Sequence, residues 1–369
     1  MKVITFALFL LLLQPVYSQY NWGNLDTEIE AKQKILGENF VAMIWDKDSL
    51  LYKKEIGGFN SKTQAPIASC SKWLTAALVM QFVDEGKLSL DDKVVKYIPE
   101  FDKYFKGYIT IRQCLSHKTG IKDEEGMLKK LMKRRKLESL EEEVNGFAAQ
   151  SIRANAGTDF WYGNIGLNIA GRVLEVISRK KFEILIRTKL FSPLGMTKTT
   201  FAEVNGGPVN PSGGAKSTAD DYMKFLVMLL NKGKHNGVQI LSESAVNEMR
   251  LVQNSLDQIA YAPKSAEGFK YASGSWVIEE MEFTEVINNG KKLNRPAVPM
   301  PPGDVTVKKK SIAASLASPG LFGTWPMVDF CRGYAYIVFV KNFLGEERAN
   351  VHIDLKKLVD EQMKSKCPK

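Results

Sequence analysis

The chain has 369 residues, with 51 Lys and Arg against 41 Asp and Glu, giving a formal net charge of +10. Its 44% hydrophobic and 25% charged residues are ordinary globular usage and exclude a mainly disordered, collagen-like or low-complexity chain. At roughly 100–200 residues per domain, the length allows two or three units, or one large α/β unit with insertions. The positive balance reads as a solvated basic surface, because no P-loop, strand-linked G-x-G-x-x-G, zinc-finger or RNA-binding signature accompanies it. No nucleic-acid partner is therefore expected.

The first residues have the layout of a secretory signal peptide. Met1 and Lys2 precede the apolar run Val3 to Leu13, and Pro15 to Ser18 supply a cleavage region, with the run too short to span a bilayer comfortably. Residues 1–18 are assigned to this segment and residues 19–369 to the mature, secreted or extracellular protein. No later segment reaches membrane-spanning length without charges. Secretion permits disulfides among Cys70, Cys114, Cys331 and Cys367, and four cysteines allow three full pairings.

Phe40 to Trp45 and Ser49 to Ile56 read as a hairpin turned at Asp46, Lys47 and Asp48. From Ser69 to Glu85, Leu74, Ala77, Leu78, Val79 and Phe82 recur at three- and four-residue steps, predicting a helix with one apolar face that Gly86 stops. Ile109 to Ser116 predicts a second helix. Leu128 to Lys136 is a basic amphipathic stretch that reads as a surface helix. Ile165 to Ile177 and Asp221 to Leu230 are further helices. Tyr271 to Val307 reads as short strand-like runs among loops, broken by Pro296, Pro299, Pro301 and Pro302. Gly333 to Val340 is a strand and Leu355 to Met363 a closing helix. This order predicts an α/β sandwich: an antiparallel sheet built from both chain ends, about 19–80 and 250–369, with a mainly helical region of about 81–249 inserted.

Three local patterns carry chemistry. Ser69-Cys70-Ser71-Lys72 is an S-x-x-K opening a helix. Residues three apart share a helical face, so a hydroxyl and an amine can meet there. An unassisted serine hydroxyl is a poor nucleophile that a neighbouring base activates. Tyr162-Gly163-Asn164 opens the third helix; a phenol near an ammonium can shuttle a proton, and an amide can bind a carbonyl. Ala317 to Thr324, with Gly320 and Gly323, precedes the late strand and allows close backbone approach to a ligand. His117, His235 and His352 are scattered without ligand spacing, so a metal site is not expected. His117 reads as a hydrogen-bonded structural histidine. Cys70 reads as a buried thiol or disulfide partner.

In this order the motifs resemble those of the serine β-lactamases and penicillin-binding proteins, and Tyr162-x-Asn164 looks like the class C branch and its esterase and D-aminopeptidase relatives. The segment Ile109 to Gly120 resembles the family's T-I-R-x-L-L-x-H-x-S-G stretch, and Pro193-Leu194-Gly195-Met196 its P-L-G-M turn. Gly213-Gly214 with Ser217 to Asp221, and Asn236-Gly237 with Ile240 to Ser242, also resemble familial segments. The resemblance implies a β-lactamase/DD-peptidase-like fold and acylation of Ser69, with proton transfer by Lys72 and Tyr162. It implies carbonyl binding by Asn164 and an oxyanion hole from the Ser69 and Leu321 amides, all without a cofactor. The third motif departs from the usual K-T-G or H-x-G. Ser318-Pro319-Gly320 stands there, and Ser318, Gly320 and Leu321 are the expected substrate-binding residues. A missing cation points to neutral esters or amides as small-molecule substrates. It also leaves open a catalytically silent protein that keeps the fold for binding.

Overall fold

The computed structural model describes residues 20–123, 134–201, 207–288, 291–293, 305–340 and 349–367. The proposed signal segment and most of the basic stretch at 128–136 lie outside these residues. The principal helices are α1 (Gly23–Ala31), α2 (Ser71–Asp84), α3 (Ile111–Leu115), α4 (Leu140–Ala149), α5 (Ile165–Ser178), α6 (Ala219–Leu230) and α7 (Ala349–Gln362). The strands that matter below are β1 (Phe40–Trp45), β2 (Leu50–Ile56), β3 (Phe160–Trp161), β4 (Ile259–Tyr261), β5 (Lys270–Tyr271), β6 (Trp276–Asn288), β7 (Lys291–Leu293), β8 (Val305–Ala317), β9 (Trp325–Asp329) and β10 (Tyr334–Val340).

The main sheet runs β7-β6-β8-β9-β10-β1-β2, with β5 paired to β6, and all its pairings are antiparallel. Strand β1 joins β10 in register from Phe40–Val340 to Trp45–Ala335, so strands from the two ends of the chain lie side by side within the sheet. Every residue of β10 is buried, because both sheet faces are covered. Tyr334, Tyr336 and Val338 pack toward Leu25, Ile29 and Leu355 of α1 and α7, whereas Ala335, Ile337 and Phe339 face the core that Tyr222, Phe225 and Leu226 of α6 join. This alternation is the two-residue period of a strand, written into a sequence apolar at every position. The result is an α/β sandwich.

Two expectations change. Helix α2 is buried continuously from Ser71 to Phe82 rather than along one face, since it is packed between the sheet and the helical region. The span expected as short runs is instead a long hairpin. β6 and β8 pair from Trp276–Ala317 to Asn288–Val305, with irregularities near Glu279. Its four prolines fall outside the described residues, and its charged composition hid the strands from an apolar-periodicity reading.

The disulfide choice is settled by geometry. Cys331 is bonded to Cys367, tying the residues after α7 to the turn between β9 and β10, while Cys70 and Cys114 are buried free thiols. Beside this bond, Lys356 of α7, only 3% exposed, reaches Asp329, Asp360 and Glu279.

Candidate active site

Chain direction sets the position of Ser69. Ala65–Pro66 pairs antiparallel with Lys216–Ser217, and the Ile67 amide donates to the Ala215 carbonyl at 3.0 Å. The backbone then reverses through Ala68, held at φ 44°, a left-handed conformation unfavourable for a residue with a Cβ. A short 3₁₀ turn, Ala68–Cys70, delivers Ser69 immediately ahead of α2. The Tyr222 hydroxyl holds the next residue by donating to the Cys70 carbonyl at 2.8 Å.

Lys72, one helical turn on, is 1% exposed. Its Nζ donates to Ser69 Oγ at 3.2 Å, to Asn164 Oδ1 at 3.4 Å and to the Ser212 carbonyl at 2.9 Å. The same nitrogen lies 4.9 Å from the centroid of the Tyr162 ring, within cation–π range. Ser69, Lys72, Tyr162 and Asn164 therefore converge. Asn164 sits at the N-cap of α5 yet makes no capping hydrogen bond, so its amide is committed to Lys72 instead. Helix α5 comes close because Gly166 lacks a side chain: a Cβ there would lie 2.1 Å from the Cys114 carbonyl oxygen of α3.

Ser212 was not singled out by the sequence as a partner of Lys72. Its carbonyl is aimed by a buried relay: the Ser212 amide donates to Asn168 Oδ1 at 3.0 Å, and Asn168 Nδ2 donates to Glu143 at 3.1 Å. Thr75 on α2 donates to the neighbouring Pro211 carbonyl at 2.6 Å. The only signal in the sequence was the adjoining Gly213-Gly214 pair, whose role spacing alone could not supply.

The third motif meets the Ser69 turn backbone to backbone. A Cβ on Gly320 would lie 2.4 Å from the Ile67 carbonyl oxygen and 3.0 Å from Cys70 Sγ. Leu321 follows in the turn closed by Gly320 N–H to Thr324 O at 2.8 Å and Gly323 N–H to Gly320 O at 2.8 Å. Ser318 lies against the same turn. It is 4% exposed, and its single hydroxyl proton is shared between the carbonyls of Gly274 at 3.3 Å and Ser69 at 3.4 Å. These contacts hold Ser318 against the Ser69 turn, and its side chain carries no charge.

His117, just past α3, is buried beside Tyr162, with ring centroids 4.7 Å apart. Burial, and secondarily the charge of Lys72, hold its imidazole well below the usual histidine range. Burial likewise pushes the Cys70 thiol up, which removes it as a rival nucleophile at neutral pH.

The beta-lactamase family model matches residues 25–361. An uncharacterized protein of Mycobacterium tuberculosis is 25% identical over 346 residues, covering 78% of this chain and 82% of that protein. A structure from Bacteroides dorei, provisionally described as a beta-lactamase, superposes with a TM-score of 0.73 at 26% identity, over 93% of this chain and 98% of that one. A D-stereospecific amidohydrolase from Streptomyces shares the fold, with a TM-score of 0.62 at 18% identity over 93% of this chain and 98% of that one.

Proposed function

The chain belongs to the beta-lactamase family, and from that premise we propose that it is a secreted serine hydrolase cleaving a neutral ester or amide through an acyl-enzyme at Ser69. One observation carries the reading: the buried Lys72 bridges the Ser69 hydroxyl and the Asn164 amide while lying over the Tyr162 ring. In the reaction, Ser69 Oγ attacks the substrate carbonyl and its proton passes to the Lys72–Tyr162 pair. The developing oxyanion is held by the Ser69 and Leu321 amides, each donor of this kind being worth on the order of 100- to 1000-fold in rate. The leaving alcohol or amine takes the proton, and water then releases the acid by the same route. Asn164 binds the substrate carbonyl side and steadies Lys72. No cofactor is required. The cleft lies between the α/β part, about 19–80 and 250–369, and the helical part, about 81–249.

The neutral-substrate preference rests on Ser318. An uncharged side chain bound to two backbone carbonyls gives a substrate carboxylate no counter-charge at that point of the wall. An amide is one substrate class to test because a structural neighbour is named as an amidohydrolase. Secretion is supported by the apolar N-terminal run and by the Cys331–Cys367 bond. Among the described residues no helix is long and apolar enough to cross a membrane.

The test is incubation with a fluorophosphonate and measurement of intact mass, alongside a panel of uncharged esters. One adduct that disappears in Ser69→Ala, with turnover of at least one ester, is expected. No adduct and no turnover across the panel would refute the enzyme and favour a binding protein that retains the fold. Fast hydrolysis of a carboxylate-bearing β-lactam would refute the neutral-substrate preference.

A further inference from the structure

His117 is held in a conformation that the local sequence does not favour. Its φ is 55°, left-handed backbone that costs a residue with a Cβ, and such strain persists where the surroundings over-determine it. Those surroundings all converge on Tyr162. The His117 carbonyl accepts from the Trp161 amide at 3.0 Å, so the strained residue anchors the backbone one position before the phenol. The His117 imidazole stands 4.7 Å from the Tyr162 ring at 56° and 5.7 Å from Phe160 at 84°.

His117 is itself fixed from the sheet side. Its Nε2 lies 3.2 Å from the Tyr271 hydroxyl, and Tyr271 stands edge-on to Trp276 with centroids 4.8 Å apart. Trp276 in turn lies 5.0 Å from the Tyr162 ring. The three rings of His117, Tyr271 and Trp276 thus form a closed set around the phenol, while Lys72 Nζ approaches the same ring at 4.9 Å. Aromatic contacts of this kind are directional, and a tyrosine has only two torsions to fix. Because burial keeps the imidazole neutral, it braces the ring without adding a second cation next to Lys72.

We propose that His117, tied to Tyr271, is a positioning residue that sets the orientation of the Tyr162 phenol toward Ser69 and Lys72. This rests on the reading of Ser69 as the acylated nucleophile with Tyr162 in the proton path. His117 touches neither substrate nor the reacting atoms; it acts through Tyr162. A purely structural histidine would affect stability and leave the phenol's environment and the acylation rate of folded protein unchanged.

The experiment compares wild type, His117→Leu, Tyr271→Phe and a control, His352→Leu. His352 is a second buried histidine, stacked 4.5 Å from Trp325 in the core on the opposite face of the sheet. The full chain is labelled with ¹³Cζ-tyrosine, and the Tyr162 resonance is assigned by its loss in Tyr162→Phe. Both site variants should move that resonance and the control should not. In the same samples, corrected for folded fraction, acylation by a saturating p-nitrophenyl ester should slow about 10-fold in His117→Leu and less in Tyr271→Phe, with KM nearly constant. If His117→Leu does not fold, Tyr271→Phe alone decides. A Tyr162 resonance and acylation rate unchanged in folded site variants would overturn the proposal. If wild type itself is not acylated, the hydrolase reading falls, and the resonance still decides whether His117 orients the phenol.

Discussion

Gly320→Ala probes the junction between the third motif and the turn that carries Ser69. The new methyl would start 2.4 Å from the Ile67 carbonyl oxygen. Contacts under about 3.0 Å are essentially absent for real Cβ atoms, and ordinary contact begins near 3.4 Å, so the turn must retreat by roughly 0.6–1.0 Å. Ile67 cannot yield instead without strain, because its own amide is tied to the Ala215 carbonyl. The retreat falls on Leu321, the next residue, whose amide is the proposed second oxyanion donor. A displacement near 1 Å at a reacting centre costs on the order of 100-fold, similar to removal of one such donor. Acylation by a p-nitrophenyl ester, followed as a stopped-flow burst, should therefore slow about 100-fold with little change in KM. Urea unfolding should show about 1–3 kcal/mol lost to overpacking. Gly146→Ala is the control: it lies in α4, is exposed, and its Cβ would meet nothing within 4 Å. It should keep full activity and gain up to about 1 kcal/mol from helix propensity. Burst rates for Gly320→Ala within about threefold of wild type would refute the close-approach reasoning.

Two further outcomes follow from buried groups. Replacing Cys331 and Cys367 together by Ser opens a cross-link spanning 36 residues, which chain-entropy reasoning values at about 4 kcal/mol as an upper figure. Dithiothreitol should lower the urea midpoint of wild type to that of the double variant and leave the variant unmoved; a wild-type midpoint indifferent to reductant would contradict the role of this bond. His117 makes stability pH-dependent. Its folded pKa lies well below 6.5, so on acidification the unfolded chain takes up a proton near pH 6.5 that the folded chain does not. The stabilisation is complete above that pH and lost below it, by up to about 1.4 kcal/mol per pH unit. Unfolding measured from pH 7.5 to 5 should show a shallower acid loss in His117→Leu than in wild type, and identical slopes would contradict the assignment.

Much of the site was legible because it depends on short-range geometry. The three-residue step from Ser69 to Lys72 puts both on one helical face whatever surrounds them, and the motif at Tyr162 and Asn164 marks the start of a helix. The apolar strand at Gly333–Val340 and the helices around it were readable from periodicity. Other features concern partners distant in the chain. The Ser212 carbonyl reaches Lys72 across 140 residues, and no local pattern encodes that meeting. Ser318 reads as a substrate-binding residue by resemblance, and the two carbonyls its hydroxyl faces, Gly274 and Ser69, come from segments remote in the chain. That Asn164 meets Lys72 depends on the approach of α5 to α3 at Gly166, a contact between segments remote in the chain.

The amino-acid sequence by itself determined which residues could do chemistry and which helices and central strands would carry them, since hydrophobic period and residue spacing act over one or two turns. Tertiary structure alone decided that Cys331 pairs with Cys367, that α2 is enclosed on all sides, that the charged span after Tyr271 becomes a long hairpin, and that His117 comes to rest against Tyr162. Each of these depends on the burial and direction of groups from distant segments, and those are fixed only when the layers close.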